Sequence, residues 1–148
     1  MIRPAAGADV AALAGLWERY RVEAADARCP DDAAWRRWVL PRISAGDVRV
    51  GEIDRRPAGY VVWQRRAATA EVAVLRIVEL YVHPDGRGQR LGSGLLARAI
   101  DAARARNCEL VELTANVHAE AVQALALPFG FRFEGDALRL RLQQRSVS

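Results

Sequence analysis

Residues 74–98 have the sequence VLRIVELYVHPDGRGQRLGSGLLAR. Apolar, β-favouring residues dominate up to Val82, and the chain-breaking segment His83-Pro84-Asp85-Gly86 follows. A glycine-containing turn then leads into a stretch with apolar residues at helical spacing. A strand, a turn and a helix start in this order bring unpaired backbone N–H groups and the positive end of a helix together. The stretch therefore predicts a binding site for a phosphate or pyrophosphate group.

The composition limits the class of protein. A length of 148 residues predicts one domain over residues 1–148. Hydrophobic content of 51% and charged content of 27% are typical of a folded globular chain. No apolar run approaches the ~20 residues of a membrane span, and no signal-peptide pattern opens the chain. We therefore expect a cytoplasmic protein without a membrane partner.

The charge and the cysteines exclude few functions. The net charge is +4, but all 22 basic residues are Arg and they are scattered among acids. A mixed solvated surface is therefore favoured, and a nucleic-acid partner is the minor alternative. Cys29 and Cys108 lack metal-ligand spacing, so no metal is expected.

The remaining chain alternates strand and helix patterns without repeats or linkers. Asp31-Asp32 predicts a capped helix, and Pro41 predicts a kink or an end of it. The passage over 72–114 requires a parallel strand–helix–strand crossover, whereas the long strands before it can pair antiparallel. We therefore expect a mixed sheet in an α/β or α+β domain. Other helices are predicted over 9–23, 91–106 and 119–127, a loop over 24–30, and strands over 2–5, 47–53, 57–64, 70–82, 109–114 and 131–142, the last as one or two strands.

The glycines of the turn have separate predicted roles. Gly92 and Gly94 allow a ligand to approach the backbone, and Gly88 permits an unusual φ and ψ. Arg87 and Arg90 can add charge-assisted hydrogen bonds to phosphate oxygens. The spacing fits a dinucleotide-binding turn poorly, and the missing Lys-Ser/Thr pair excludes a Walker A loop.

The segment Arg87-Gly88-Gln89-Arg90-Leu91-Gly92 follows Leu80-Tyr81-Val82-His83-Pro84 and precedes Leu95-Leu96. With the opening Ile2-Arg3-Pro4-Ala5 and the closing Gly130-Phe131, it resembles the GNAT superfamily of acyl-CoA N-acyltransferases over nearly the full chain. The resemblance implies cofactor-binding residues at Leu80, Tyr81, Val82, Arg87, Gly88, Gln89, Arg90, Leu91, Gly92, Ser93 and Gly94.

The resemblance also implies a fold and a reaction. The expected fold is a mixed, largely antiparallel sheet of about six or seven strands, splayed after the central strand and flanked by about four helices. Acetyl-CoA is the implied co-substrate, and a primary amine of a small molecule or peptide attacks its thioester directly. The oxyanion donor is implied to be a backbone N–H of Tyr81 or Val82. A homodimer through the final strands remains an open alternative.

Two departures from the family pattern bear on function. Arg90 stands where the family usually has glycine, which is compatible with binding if its φ is negative. Ala119 and Ala126 stand where members often carry an Asn and the Tyr that protonates the CoA thiolate, and Asn116 is out of register. The favoured function is an N-acetyltransferase. The missing Asn and Tyr motivate the alternative, a catalytically weakened acyl-CoA-binding or sensing module.

Glu79 is the candidate catalytic residue, because it interrupts an apolar strand near the proposed thioester. Strand alternation puts it on the face opposite Leu80 and Val82. Burial would raise its pKa and suit it to accept the amine proton directly or through water. The alternative is a carboxylate paired with an arginine such as Arg76.

Other candidates are weaker. Glu112 lies on the next strand, Tyr81 could act as an acid, and His83 and His118 form no triad pattern. The first two helices and their loop are expected to hold the acceptor, with acids binding a cationic amine and aromatic rings contacting it. The alternative is that these rings form core and these acids cap helices. The segment contains Trp17, Tyr20, Glu23, Asp26, Asp31, Asp32 and Trp35.

Overall fold

The computed structural model describes residues 1–24 and 31–143, in which four α-helices and seven strands form. None of the described helices combines the length and apolar character needed to cross a bilayer. The predicted loop over 24–30 lies almost wholly outside the described residues. The helices are α1 (Val10–Ala24), α2 (Asp32–Ser44), α3 (Leu91–Ala105) and α4 (Glu120–Ala126), and the strands are β1 (Ile2–Pro4), β2 (Val48–Ile53), β3 (Arg56–Ala67), β4 (Ala73–Val82), β5 (Leu110–Leu113), β6 (Arg132–Glu134) and β7 (Ala137–Arg141).

All seven strands form one sheet in the order β1-β2-β3-β4-β5-β7-β6. β4 and β5 pair in parallel through the α3 crossover, and every other neighbouring pair is antiparallel. The expected mixed, largely antiparallel sheet with four flanking helices is confirmed.

The sheet opens between β4 and β5. The two strands pair only where Val74–Ile77 faces Leu110–Leu113, whereas β4 stays paired with β3 as far as Val82. The backbone N–H and the hydroxyl of Thr114 both donate to the Ile77 carbonyl, each at 3.3 Å, at the last paired position. Beyond that position no strand among the described residues pairs with the edge of β4 that faces β5, which matches the predicted splay.

A β-bulge at Val78 decides which way the second half of β4 faces. Glu79 pairs with Val62 and Ile77 pairs with Trp63, so Val78 is an extra residue. Before the bulge, Ile77 packs in the core cluster shared with α3 and α4; Val78 packs in the cluster shared with α1 and α2. After it, Leu80 returns to the α3 side. The bulge therefore turns Glu79 and Tyr81 towards α1 and α2.

Helix α2 begins as predicted but does not end at Pro41. The Asp31 side chain accepts a hydrogen bond from the Ala34 N–H at 2.7 Å, which is an N-cap. The helix continues past Pro41 to Ser44, and buried Val39 and Ile43 hold its last turn against the sheet. Pro41 lacks a backbone N–H and therefore leaves one helical hydrogen bond unmade.

Candidate active site

A cleft of about 580 Å³ occupies the opening between β4 and β5. Its walls come from the second half of β4, the turn and start of α3, the segment around α4, and the end of α1. The lining residues are Tyr20, Glu23, Leu80, Tyr81, Val82, Gly86, Arg87, Gly88, Arg90, Leu91, Gly92, Ser93, Asn116, Ala119, Ala121, Val122 and Leu125.

The β4 side of the cleft offers backbone hydrogen-bonding groups. The His83 N–H donates to the Ala58 carbonyl of the β3 side at 2.7 Å. Because backbone groups alternate in direction along a strand, the N–H and C=O groups of Tyr81 also point towards β3. Those of Leu80 and Val82 point into the opening. Of the two backbone N–H groups expected as the oxyanion donor, that of Val82 therefore faces the cleft, whereas that of Tyr81 faces β3.

The turn before α3 presents a row of backbone donors. Within the described residues, no backbone N–H from Gly88 to Ser93 donates to a protein acceptor; the first one that does is the N–H of Gly94, which bonds the Arg90 carbonyl at 3.0 Å. No side chain caps the start of α3, which is 15 residues long. Free donors and the positive end of a helix thus meet at the cleft, an arrangement that binds phosphate.

Arg90 departs from the expected backbone conformation. The sequence made Arg90 compatible with binding on the condition of a negative φ, and this condition is not met, because its φ is 61° and its ψ is 16°. This left-handed conformation explains why glycine suits the position, because a residue with a Cβ adopts it at about 1–2 kcal/mol. The neighbouring Gly88, with a φ of 84°, has the unusual conformation predicted for it.

The other glycines of the turn differ in what they adjoin. Gly92 lines the cleft, and a Cβ there would lie 3.3 Å from Leu125 and 3.6 Å from Val82, so a side chain would narrow it. A Cβ on Gly94 would lie 2.4 Å from Ile2 Cδ1. Gly94 therefore lets α3 pack on β1, and its part in ligand approach stays a prediction. Gln89 is exposed, and neither it nor Gly94 lines the cleft.

An ion pair connects α1 to the turn at one end of the cleft. Arg87 Nη2 donates to Glu23 Oε2 at 2.8 Å, and Arg87 Nε donates to the Val82 carbonyl at 3.1 Å. The Tyr81 hydroxyl donates to Glu23 Oε1 at 3.0 Å. Burial raises the pKa of Tyr81, and the hydrogen bond to Glu23 raises it further, so the phenol stays protonated.

A comparison with protein families decides the identity of this fold. The model of the acetyltransferase (GNAT) family matches residues 11–131, most of the chain and all of the cleft-lining segments. The chain belongs to the GNAT acetyltransferase family. The resemblance seen in the sequence is thereby confirmed.

Individual relatives agree with this assignment. An uncharacterized N-acetyltransferase of Methanocaldococcus jannaschii is 33% identical over 90 residues, which cover 56% of this chain and 39% of the relative. The fold matches yncA, a putative acetyltransferase of Salmonella typhimurium solved with acetyl-CoA, at a TM-score of 0.79, 22% identity and 100% and 96% coverage of the two chains. It also matches a ribosomal-protein-alanine N-acetyltransferase of Brucella melitensis at 0.72, 21% identity, and 96% and 99% coverage.

Glu79 lies behind the wall of the GNAT cleft and does not line it. Its carboxylate is buried, with 4% of the residue exposed, and Oε1 accepts a hydrogen bond from the Tyr60 hydroxyl at 2.6 Å. Trp35 Nε1 lies 3.2 Å from both carboxylate oxygens. Burial raises the pKa of Tyr60 well above its usual value, and the Glu79 charge raises it further. The phenol therefore remains a donor to Glu79.

The alternative pairing of Glu79 with Arg76 is wrong, because Arg76 pairs with Glu112. Arg76 Nε donates to Glu112 Oε1 at 2.8 Å, and Arg139 Nε donates to Oε2 at 3.0 Å. Burial alone would raise the pKa of Glu112, but the hydrogen bonds and charges of Arg139 and Arg76 outweigh it and lower the pKa. Glu112 is buried in this cluster and does not line the GNAT cleft.

The two alanines that replace family residues occupy different environments. Ala119 lines the cleft beside Asn116, whose carbonyl accepts the Ala119 N–H at 3.1 Å. Ala126 is fully buried in the α3-side core. Unlike Ala119, Ala126 does not line the cleft. Sequence reasoning missed the cleft residues Val122 and Leu125, whose three-residue spacing on α4 was the available signal.

The acceptor segment proves to be largely structural in its described part. Trp17 and Trp35 stack in the core with ring centroids 5.4 Å apart, as the alternative reading held. Asp31 caps α2, and Asp32 pairs with Arg36. Tyr20 and Glu23 line the cleft, and Asp26 lies outside the described residues.

The remaining sequence candidates among the described residues contact other parts of the fold. His83 Nδ1 accepts from the Asp85 N–H at 3.0 Å, and His118 stacks on Phe133. Cys108 is buried, and burial raises its pKa. Over residues 1–24 and 31–143, no group of three or more His, Cys, Asp or Glu side chains could hold a metal ion.

Proposed function

We propose that this chain binds acetyl-CoA in the cleft and transfers the acetyl group to a primary amine of a small molecule or peptide. The observation that carries the proposal is the row of unpaired N–H groups from Gly88 to Ser93 at the start of α3. Pyrophosphate is the part of CoA that such a row recognises. Acetyl-CoA in the Salmonella typhimurium neighbour of similar fold supports the same ligand.

The edge of β4 is suited to the rest of the co-substrate. Leu80 and Val82 direct N–H and carbonyl groups into the opening, where an extended pantetheine arm with its amides can pair like a strand. Acetyl-CoA supplies an acyl thioester that an amine can attack directly. A backbone N–H of Leu80 or Val82 can then stabilise the negative charge that develops on the thioester oxygen.

Glu79 is the proposed proton acceptor, acting through water because it does not line the cleft. It directly precedes Leu80, whose N–H faces the opening, and the bulge at Val78 turns it to the α1 and α2 face. A free amine with a pKa near ~10 must lose a proton before it attacks. A buried carboxylate close to the opening can receive that proton.

The leaving thiolate requires less assistance. Its pKa lies near ~8.5, so departure without a dedicated acid is feasible at neutral pH. Tyr81 lines the cleft, but its hydroxyl proton is donated to Glu23 and its raised pKa makes it a weak acid, so water is the proposed proton source for the thiolate.

The proposal is tested by calorimetric titration with acetyl-CoA and by thiol release across a panel of amines. Glu79→Gln is expected to lower kcat by about 100-fold, in the range of general acid–base catalysis, with a change of less than about threefold in acetyl-CoA affinity. Glu134→Gln is the matched control, since Glu134 pairs with Arg141 near the surface. Wild-type kcat in Glu79→Gln would remove Glu79 from the mechanism.

A second candidate function is an acyl-CoA-binding or sensing module with weakened catalysis. Ala119 and Ala126, which replace the family Asn and Tyr, favour it. Tight acetyl-CoA binding with no thiol release for any amine would support this function and contradict the enzymatic one.

A further inference from the structure

Glu23 has an unfavourable position within its own helix. It is the penultimate residue of α1 (Val10–Ala24), next to the negative end of the helix dipole. A carboxylate there is stabilised only by outside partners. Those partners are the Arg87 guanidinium at 2.8 Å and the Tyr81 hydroxyl at 3.0 Å, and all three side chains line the cleft.

Arg87 is held by groups that the proposed co-substrate would displace. Its Nε bonds the Val82 carbonyl, which faces the opening where pantetheine would pair. The residue also directly precedes the row of unpaired N–H groups that begins at Gly88. A pyrophosphate bound to that row attracts Arg87 more strongly than the single charge of a half-exposed carboxylate does.

Transfer of Arg87 to the pyrophosphate changes the surroundings of Glu23. The carboxylate keeps the Tyr81 hydroxyl, and no other cation among the described residues contacts it. A negative charge beside a helix C-terminus then favours a cation from solution. Glu23, Tyr81 and the β4 edge residues Leu80 and Val82 line one cleft, so a cation bound by Glu23 lies in the same cleft as that edge.

We propose that Glu23 holds the acceptor as a cationic aliphatic ammonium, and that Arg87 occupies this carboxylate until the pyrophosphate of acyl-CoA draws it away. This inference rests on the proposed function and narrows its substrate class. Acyl-CoA therefore binds first, because it exposes the residue that recognises the amine. A neutral arylamine has no charge for Glu23 to bind and gains nothing from the exchange.

Glu23→Gln is expected to change the two affinities in opposite directions. Loss of the competing carboxylate tightens acetyl-CoA binding by about two- to fivefold, the range of an exposed ion pair. Loss of the negative charge raises the KM of an aliphatic amine by about tenfold or more, while the KM of an arylamine changes by less than about twofold. A purely structural residue would weaken both ligands together.

Two further variants isolate the exchange. Glu18→Gln is the matched control, because Glu18 lies on the same helix, pairs with Arg21 and does not line the cleft; both affinities should stay unchanged. Arg87→Gln should weaken acetyl-CoA binding, and adding Glu23→Gln to it should no longer tighten that binding. A full tightening in the double variant would overturn the proposed exchange.

The outcomes separate this inference from the proposed function. A wild-type protein that binds no acetyl-CoA contradicts the proposed function. Turnover combined with an unchanged amine KM in Glu23→Gln contradicts only the inference about Glu23. If acetyl-CoA binds but no amine reacts, the enzymatic function and the amine part of the inference both fall. The acetyl-CoA affinity of Glu23→Gln then still decides whether Arg87 is shared.

Discussion

At the scale of single residues, Arg90 adopts a backbone conformation that suits glycine better than arginine. Its φ of 61° places its Cβ in a strained arrangement, yet α3 still begins at the next residue and its first N–H groups stay free. The geometry of the turn is therefore imposed by what surrounds it. The strain is local, and it can be measured by relieving it.

Arg90→Gly is expected to raise the free energy of unfolding by about 1 kcal/mol, because glycine enters the left-handed region without a Cβ penalty. Urea denaturation measures the change. Arg98→Gly, at an exposed position inside α3, is the control of opposite sign and should lower stability by about 1 kcal/mol. Equal destabilisation by both substitutions would show that the turn is not strained at Arg90.

At the scale of elements, a row of charged side chains ties β4, β5 and β7 together. Arg76 faces Glu112, which faces Arg139, in consecutive cross-strand pairs. The row lies within the segment where β4 and β5 are still joined, so it reinforces the sheet just before the opening. The strength of these cross-strand ion pairs depends on whether one buried carboxylate is ionised.

Stability is expected to fall in acid through Glu112. Its folded-state pKa is lowered, so its contribution is present above the unfolded value of about 4.3 and is lost as pH falls through the folded pKa. Asp9, whose pKa Arg3 also lowers, contributes in the same direction. The free energy of unfolding between about pH 5 and pH 2 measures the sum.

Glu112→Gln isolates the Glu112 share of that acid loss. The variant should be less stable at neutral pH, because its arginine partners remain partly buried, and should show a shallower decline in acid. Glu134→Gln, which affects a more exposed pair with Arg141, is the control and should keep the wild-type slope. A wild-type slope in Glu112→Gln would exclude this residue as a source.

The sequence carried the order of elements better than the surroundings of individual side chains. Chain breakers and helical spacing predicted α3, its turn and the parallel crossover, because these signals are local. Alternation also predicted that Glu79 opposes Leu80 and Val82. It did not show the Val78 bulge, since apolar residues such as Ile77 and Val78 are buried on both faces of β4 and an extra one leaves no mark in the pattern. Trp17 and Trp35 were ambiguous because core and ligand-binding aromatics share the same spacing.

At the scale of the whole molecule, the proposed ligand contacts segments that lie far apart in the sequence. The cleft is bounded by α1, β4, the start of α3 and the α4 segment. A ligand that contacts all of them binds the folded state alone and therefore stabilises it by mass action.

Acetyl-CoA at 100 times its Kd is expected to raise the free energy of unfolding by about 2.7 kcal/mol. For a chain of this size that corresponds to a Tm increase of about 5–10 °C in a thermal scan. A short acetyl thioester without pyrophosphate, at the same concentration, should produce little change, because it cannot use the N–H row. An equal shift from both compounds would place the affinity elsewhere in the cleft.

The bulge at Val78 has a consequence for the engineering of this protein. The extra residue divides β4 into two stretches with different surroundings. Substitutions before Val78 act on folding through the α3 core and the charged row, whereas under the proposed function substitutions after it alter ligand binding. Directed evolution of acceptor range can therefore concentrate on residues 79–82 and their α1 partners. The earlier stretch can meanwhile be optimised separately for thermal tolerance.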